Sequence, residues 1–310
     1  MSYVHLPPYR VEIPATPLAA ADGVDWALSS YGIPKLWQQT SGSGVCVAVI
    51  DSGVAPHPAL DGAVTDSRNF TQDGEATDTL GHGTHVAGVI AARTGPAQGI
   101  AHKAKLLSLK VLGHSGMGSQ EAVATALNYA AEAKADIACM SLGSARPDVR
   151  VHAAVQKAVA GGMTIVCAAG NDGGAVNYPA AFAETIAVGA VDRNGQVCEF
   201  SSRGREITVA APGQDITSTW LAGGYATISG TSMAAPFVAG VLALWMSARR
   251  SERLTATPLE AIAALTETAR DPNEPGRCDR YGWGLVDPHK LLGPATPQGL
   301  TIYIPGAKVL

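Results

Sequence analysis

Cysteine is too scarce and too scattered in this chain to organise a fold. Cys46, Cys139, Cys167, Cys198 and Cys278 are odd in number and widely spaced over 310 residues. That excludes a disulfide framework and a zinc knuckle. Four of the five lie in apolar stretches, where a free thiol behaves as a small hydrophobe. Unpaired thiols point to a reducing compartment. An excess of basic charge is missing too: 22 Lys and Arg against 26 Asp and Glu leave a net charge of −4. No stretch offers a phosphate-tracking surface, so nucleic acid is excluded as the main partner. No apolar run reads as the ~20 residues that span a bilayer, so no membrane partner is expected. The opening MSYVHLPPYRVEIPATPLAAADG lacks a basic region followed by an unbroken apolar one. No secretion signal is read there, although a chain already trimmed of one would read the same way. Internal repeats and low-complexity tracts are absent.

What is present is a large reserve of core-forming residues, 46% hydrophobic against 15% charged. That suffices for one large domain or two modest ones. Residues 1–21 read as an extension rich in Pro and Ala. From Val45 the pattern changes. VCVAVI (45–50), AKLLSLKVL (104–112), DIACMSL (136–142), MTIVCAA (163–169), TIAVGAV (185–191) and ITVAAP (207–212) are short apolar runs. Such runs suit strands buried on both faces. Between several of them lie helical patterns, one over 119–134 with Ser119 as N-cap and one over 149–162 ending in glycines. Thr257-Pro258-Leu259-Glu260 spells a capping box with Pro at the first helical position, and Asp287-Pro288 repeats the proline signal. Alternating strands and helices predict a doubly wound, three-layer α/β fold around a mostly parallel sheet. Residues 294–310 form a Pro- and Gly-containing tail around LTIYIP, a candidate for one more strand.

In such sheets functional groups gather beyond the C-terminal ends of the strands. Asp51 stands there, after VCVAVI and before Ser52-Gly53, where a turn aspartate would also fit. GHGTHVAG (81–88) sets His82 between glycines ahead of a helical segment. His82 and His85 make an HxxH pair, but the common zinc helix spaces its histidines four apart around a glutamate. AAGN (168–171) puts the Asn171 amide in a glycine-rich loop at a strand end, and GTSMAAP (230–236) puts Ser232 at a helix start. A serine hydroxyl is a weak nucleophile. It needs a base, an orienter for that base, and donors for the oxyanion. His82, Asp51 and Asn171 fill those roles in turn.

DSG (51–53), GHGTHVAG, SLG (141–143), AAGN and GTSMAAP together resemble the subtilisin family of serine proteases, over about residues 24–293. The resemblance implies a serine endopeptidase acting through an acyl-enzyme. Asp51 would orient His82, His82 would serve as base then acid, and Ser232 would be the nucleophile. Asn171 and the Ser232 N–H would form the oxyanion hole. Residues 22–293 would be the catalytic domain. A peptide would add as a strand between Gly116-Met117-Gly118 and Ser141-Leu142-Gly143. Ala168, Ala169 and Gly170 would wall the S1 pocket. Asp172 and Asn177 would lie at its floor, although both also fit a solvated loop. VCAAGN and the LPPY-containing start resemble the intracellular branch, which implies a cytoplasmic protein and allows a homodimer.

The departures from the family pattern carry information as well. Where the family has HPDL, with the Asp ligating a tight calcium, this chain has HPAL, with Ala59. The loop between His85 and Leu106 is short. Calcium takes six to eight oxygen ligands, so that site is not expected, while weaker calcium sites stay open. No cofactor is required for the chemistry, and protein or peptide substrates are the expected partners. An α/β-hydrolase esterase would run Ser, Asp, His with GxSxG, and this order is Asp, His, Ser. A catalytically silent peptide-binding scaffold would lack one of the reacting groups. The LPPY start also resembles segments that block the active site in the intracellular branch. Leu6, Pro7, Pro8 and Tyr9 are therefore read as an inhibitory segment. The prolines, lacking N–H groups, are expected to prevent a full ladder with the two edges and to displace the peptide carbonyl from Ser232.

Overall fold

The computed structural model describes residues 3–13, 25–272 and 276–293. The tail at 294–310, read as a candidate strand, lies outside the described residues. The strands are β1 (Tyr3–His5), β2 (Arg10–Glu12), β3 (Cys46–Asp51), β4 (Val64–Asn69), β5 (Lys105–Lys110) and β6 (Met117–Ser119). They continue with β7 (Ile137–Met140), β8 (Thr164–Ala168), β9 (Ile186–Val191), β10 (Ile207–Pro212), β11 (Ile216–Thr219) and β12 (Tyr225–Ser229). The helices are α1 (Trp26–Ser30), α2 (Ile33–Leu36), α3 (His82–Ala91), α4 (Gln120–Glu132), α5 (Val149–Ala160), α6 (Thr231–Ser251), α7 (Pro258–Thr268) and α8 (Pro288–Leu292).

Seven strands make one parallel sheet in the order β10-β9-β8-β7-β3-β5-β4. The reason lies in the alternation along each strand. Val47 and Val49 of β3 pack with α3 and α6, while Ala48 and Ile50 pack on the other side with α4 and α5. A strand covered on both faces has no polar side, so its sequence reads as one apolar run. The helices start where side chains satisfy their free N–H groups. Ser119 accepts from Ala122 N at 3.0 Å to open α4, and Thr257 and Glu260 cap α7 reciprocally. The C-terminal ends of β3, β7 and β8 point the same way and deliver Asp51, Ser141-Leu142-Gly143 and Asn171 to one end of the sheet.

One expectation needs correction. Helix α6 is long and apolar enough to cross a membrane, yet 89% of its most apolar stretch is buried inside the fold. It is the central core helix, and its small residues let it run against the sheet. Within the N-terminal extension, β1 pairs with β6 and β2 with β12. The cysteines form no disulfide among the described residues: Cys139, Cys167 and Cys198 are buried, Cys46 is half-buried and Cys278 is exposed.

Close packing of α6 decides the sign of one substitution. In an open helix Gly→Ala stabilises by about 1 kcal/mol. A Cβ on Gly240 would stand 2.8 Å from Ile100 Cβ and 3.1 Å from its Cγ2. Overpacking of this kind costs about 1–3 kcal/mol. Gly240→Ala is therefore expected to lower the denaturant midpoint, and a raised midpoint would show that the helix can move away from Ile100.

Candidate active site

Asp51 ends β3 fully buried, and His82 opens α3 fully buried. Their side chains meet, with His82 Nδ1 at 2.8 Å from Asp51 Oδ1. The same oxygen accepts from Ser52 N at 2.7 Å and Ser52 Oγ at 3.2 Å. Ser52 Oγ in turn accepts from Gly83 N at 2.9 Å, which caps the first turn of α3. A second cap comes from Asp78. Its Oδ1 accepts from Leu80 N and Gly81 N, and its Oδ2 from Thr84 N and Thr84 Oγ1, all within 2.7–3.0 Å. Gly83 lets the helix come this close, since a Cβ there would overlap the Gly53 carbonyl. An imidazole whose Nδ1–H is taken by a carboxylate presents its Nε2 lone pair to the cleft. His82 Nε2 has no hydrogen-bond partner among the described residues.

Asn171 and Ser232 are brought together at the start of α6. Thr231 N and Thr231 Oγ1 both donate to Asn171 Oδ1, at 2.8 and 2.7 Å. That fixes the amide's orientation and aims Nδ2 outward. Ser141 Oγ donates to the Ser232 carbonyl at 2.8 Å, and Ser232 Oγ lies 3.4 Å from the Ser141 carbonyl. Chemically the set offers a hydroxyl at a helix N-terminus, an imidazole free to accept a proton, and an amide donor aimed into the cleft.

The chain's own N-terminal segment lies in that cleft. His5 exchanges both backbone hydrogen bonds with Gly143 at 3.0 Å and pairs with Met117, while Leu6 N donates to the Gly116 carbonyl at 3.0 Å. Residues 3–6 form the ladder ahead of the prolines, and it goes no further along these edges at Pro7, which has no N–H. Asn171 Nδ2 then donates to the Pro8 carbonyl at 2.8 Å. The Tyr9 ring lies 5.0 Å from the His82 ring, and β2 continues along β12. The fully buried apolar anchor is Val4, whereas Leu6 is only half-buried. Nothing in the sequence marks Val4, because a lone valine beside Tyr3 has no periodicity to read.

Ala168 and Ala169 are buried beneath Gly170. Asn177 is buried, and its side chain approaches both Gly143 and Gly170. Asp172 is exposed, with its carboxylate accepting from Ser202 Oγ at 2.8 Å, and that bond above all holds the carboxyl below its usual range. The structure thus separates the two residues that the sequence grouped. His85 turns away from the site, its Nε2 placed 3.0 and 3.1 Å from the carbonyls of Ile216 and Ala226. Burial, and then His82 beside it, push it down to about 3, so it is neutral. Sequence reading missed Ser52, Asp78, Thr231 and Ser202. Short polar residues in loops carry no pattern until the fold closes around them.

The sequence profile of the subtilase family matches residues 42–284. An intracellular serine protease of Paenibacillus polymyxa is 43% identical over 255 residues, covering 78% of this chain and 77% of that one. The major intracellular serine protease of Bacillus subtilis (strain 168) is 43% identical over 227 residues, 68% of this chain and 71% of that one. The M-protease of Shouchella clausii (strain KSM-K16) is 40% identical over 242 residues, 76% of this chain and 62% of that one.

The packing of Tyr9 gives a pH-dependent signature. Burial, then the charges of Asp51 and Asp78, push its phenol up from 10.0 to about 12. Between those values the docked phenol keeps a proton that an undocked one has lost. Docking therefore weakens as pH rises through that window and is unaffected below it. Ultraviolet titration of the full chain against Tyr9→Phe should reveal one tyrosine ionising near the upper value. A difference midpoint at 10.0 would place the ring in water.

Proposed function

The chain belongs to the subtilase family and is a serine endopeptidase acting on protein or peptide substrates, and from that premise we propose that it is a cytoplasmic protease held inactive by its own N-terminal segment. In this reading Ser232 attacks the scissile carbonyl, His82 takes and returns the proton, and Asp51 orients the imidazole. Asn171 Nδ2 and the Ser232 N–H bind the oxyanion. The chemistry needs no cofactor. The names of two relatives as intracellular proteases, and five cysteines without a disulfide among the described residues, support the location.

One observation carries the autoinhibition: the Pro8 carbonyl occupies the Asn171 amide while Tyr9 covers His82. The register explains why residence does not mean cleavage. A substrate held by the Gly116 and Gly143 bonds would follow Leu6 with a residue whose N–H reaches the Ser141 carbonyl. Pro7 has no N–H to give. The acceptor is left to the Ser232 hydroxyl, 3.4 Å away, and His82 Nε2 has no partner among the described residues. Residues 1–21 act in this reading as an inhibitory extension, and cleavage within 14–21 would release it. Gly116-Met117-Gly118 and Ser141-Leu142-Gly143 are the substrate edges, and Ala168 to Gly170 with Asn177 form the S1 wall.

The surroundings of Ala59 do not fit the family's tight calcium ion. Ala59 brings no carboxylate, and its carbonyl accepts from Arg93 N at 2.6 Å. The Arg93 guanidinium donates to the carbonyls of Gly62 at 2.7 Å and His102 at 3.4 Å. These bonds occupy the Ala59 carbonyl and hold a cationic residue beside it, where a calcium ion would need oxygen ligands.

Comparison of the full chain with a form starting near Ala19 tests the inhibition. The shorter form should be much faster from the first seconds, and a peptide of residues 1–18 added in trans should slow it. Equal initial rates with no inhibition by the peptide would contradict the proposal. In the active form Asn171→Ala should lower kcat by about 10²–10³ with little change in KM, because the amide bonds the oxyanion more strongly than the ground-state carbonyl. A KM effect at constant kcat would remove Asn171 from the oxyanion hole.

A further inference from the structure

Among the described residues, one of the largest wholly buried side chains is that of a lysine. Lys110 ends β5 with no exposure to solvent. A buried ammonium is costly unless hydrogen bonds and an opposing charge offset it. Its Nζ donates to the Ser52 carbonyl at 2.9 Å. Among the described residues that is the ammonium's one hydrogen bond, and it joins no direct ion pair. The register sets Lys110 opposite Asp51 on neighbouring parallel strands. Residues paired in this way face the same side of the sheet. Asp51 is the matching case. It is fully buried, and its Oδ2 has no partner among the described residues. Ser52 joins the two, giving its N–H and Oγ–H to Asp51 and its carbonyl to Lys110.

We propose that Lys110 is a positioning residue for the reaction: it fixes the Asp51-Ser52 turn, and its charge offsets the carboxylates beside His82 so that the imidazole stays free to accept a proton at neutral pH. The inference rests on the reading of Asp51, His82 and Ser232 given above. Asp51 from β3 contacts the imidazole, and Asp78 from the turn before α3 caps the helix that His82 opens. His85 from α3 and Tyr9 from the N-terminal segment also face the imidazole, and Cys139 from β7 lies near Asp51. Burial pushes His85 down to about 3 and Tyr9 up to about 12. Burial, then the Asp51 charge, push the Cys139 thiol well up. All three are neutral near pH 7, which leaves two carboxylates and Lys110 to set the local balance. Without the ammonium the carboxylates favour the imidazolium, and an imidazolium cannot take the Ser232 proton.

The test is the rate at which a sulfonyl fluoride inactivates the full chain as a function of pH, for wild type, Lys110→Met and Lys110→Arg. The N-terminal segment is common to all three, so it cancels from the comparison. In Lys110→Met the acid limb should move up by about one pH unit. Well below the limb the rate should fall about tenfold, and it should recover at higher pH. Lys110→Arg should keep the limb in place whatever its absolute rate. A uniform loss at every pH with an unmoved limb would reduce Lys110 to a structural role and overturn the inference. Should the variants not fold, the ¹⁵N resonance of Lys110 in the wild-type full chain decides. A charged ammonium at neutral pH supports the inference, and a neutral amine overturns it. A form starting near Ala19 whose Ser232 never reacts would overturn the underlying reading and this inference with it.

Discussion

The buried Asp51 carboxylate is the constraint on which the site depends. A carboxylate without water must find hydrogen bonds or lose its charge. Here it finds the His82 ring at 2.8 Å and the backbone and hydroxyl of Ser52. Each of those partners imposes a condition of its own. The ring has to leave a helix start, so α3 must press against the turn after β3. Only a glycine at position 83 permits that approach. The free N–H groups of α3 then need caps, which Ser52 and Asp78 supply. One buried charge thereby ties a strand end, a turn and a helix into a single rigid unit, as preorganised electrostatic catalysis requires.

The cleft beside this unit is built to pair with an extended chain, and its own N-terminus does so. β1 adds to β6 ahead of the prolines, and β2 adds to β12 beyond them. Strand addition supplies affinity without sequence demands, because the hydrogen bonds come from backbone. The prolines matter at one point only. In the proposed reading, Pro7 denies the Ser141 carbonyl the N–H that a substrate would bring, and the Ser232 hydroxyl lies 3.4 Å from that carbonyl. In that reading one missing donor separates binding from reactivity.

The central strands were legible because burial on both faces leaves continuous apolar runs, as in β3, β8 and β9. β4 was not, since Val64–Asn69 reads VTDSRN and lies at the sheet's edge. β11 and β12 pair beyond the main sheet, and β1 and β2 are three residues each, too short for any period to show. Asp51, His82, Asn171 and Ser232 were legible through their motifs, and the structure brings all four to one end of the sheet. Val4 was not, because its burial depends on the edges to which β1 pairs. Lys110 is the clearest limit. Inside AKLLSLKVL it reads as the polar end of a strand, and its burial beside Asp51 follows only from the register of β3 with β5. Helix α6 was passed over as a long apolar run, although its length and hydropathy alone would permit a membrane span and only packing assigns it to the core.

The most direct measurement is to identify the residue that a fluorophosphonate modifies. The full chain and the form lacking the first 18 residues would each be labelled, digested and mapped by mass spectrometry, with His82→Ala as control. The account requires the adduct on Ser232 alone, formed faster in the shorter form and nearly lost in His82→Ala. An adduct on another residue, or labelling of Ser232 at an undiminished rate in His82→Ala, would contradict it.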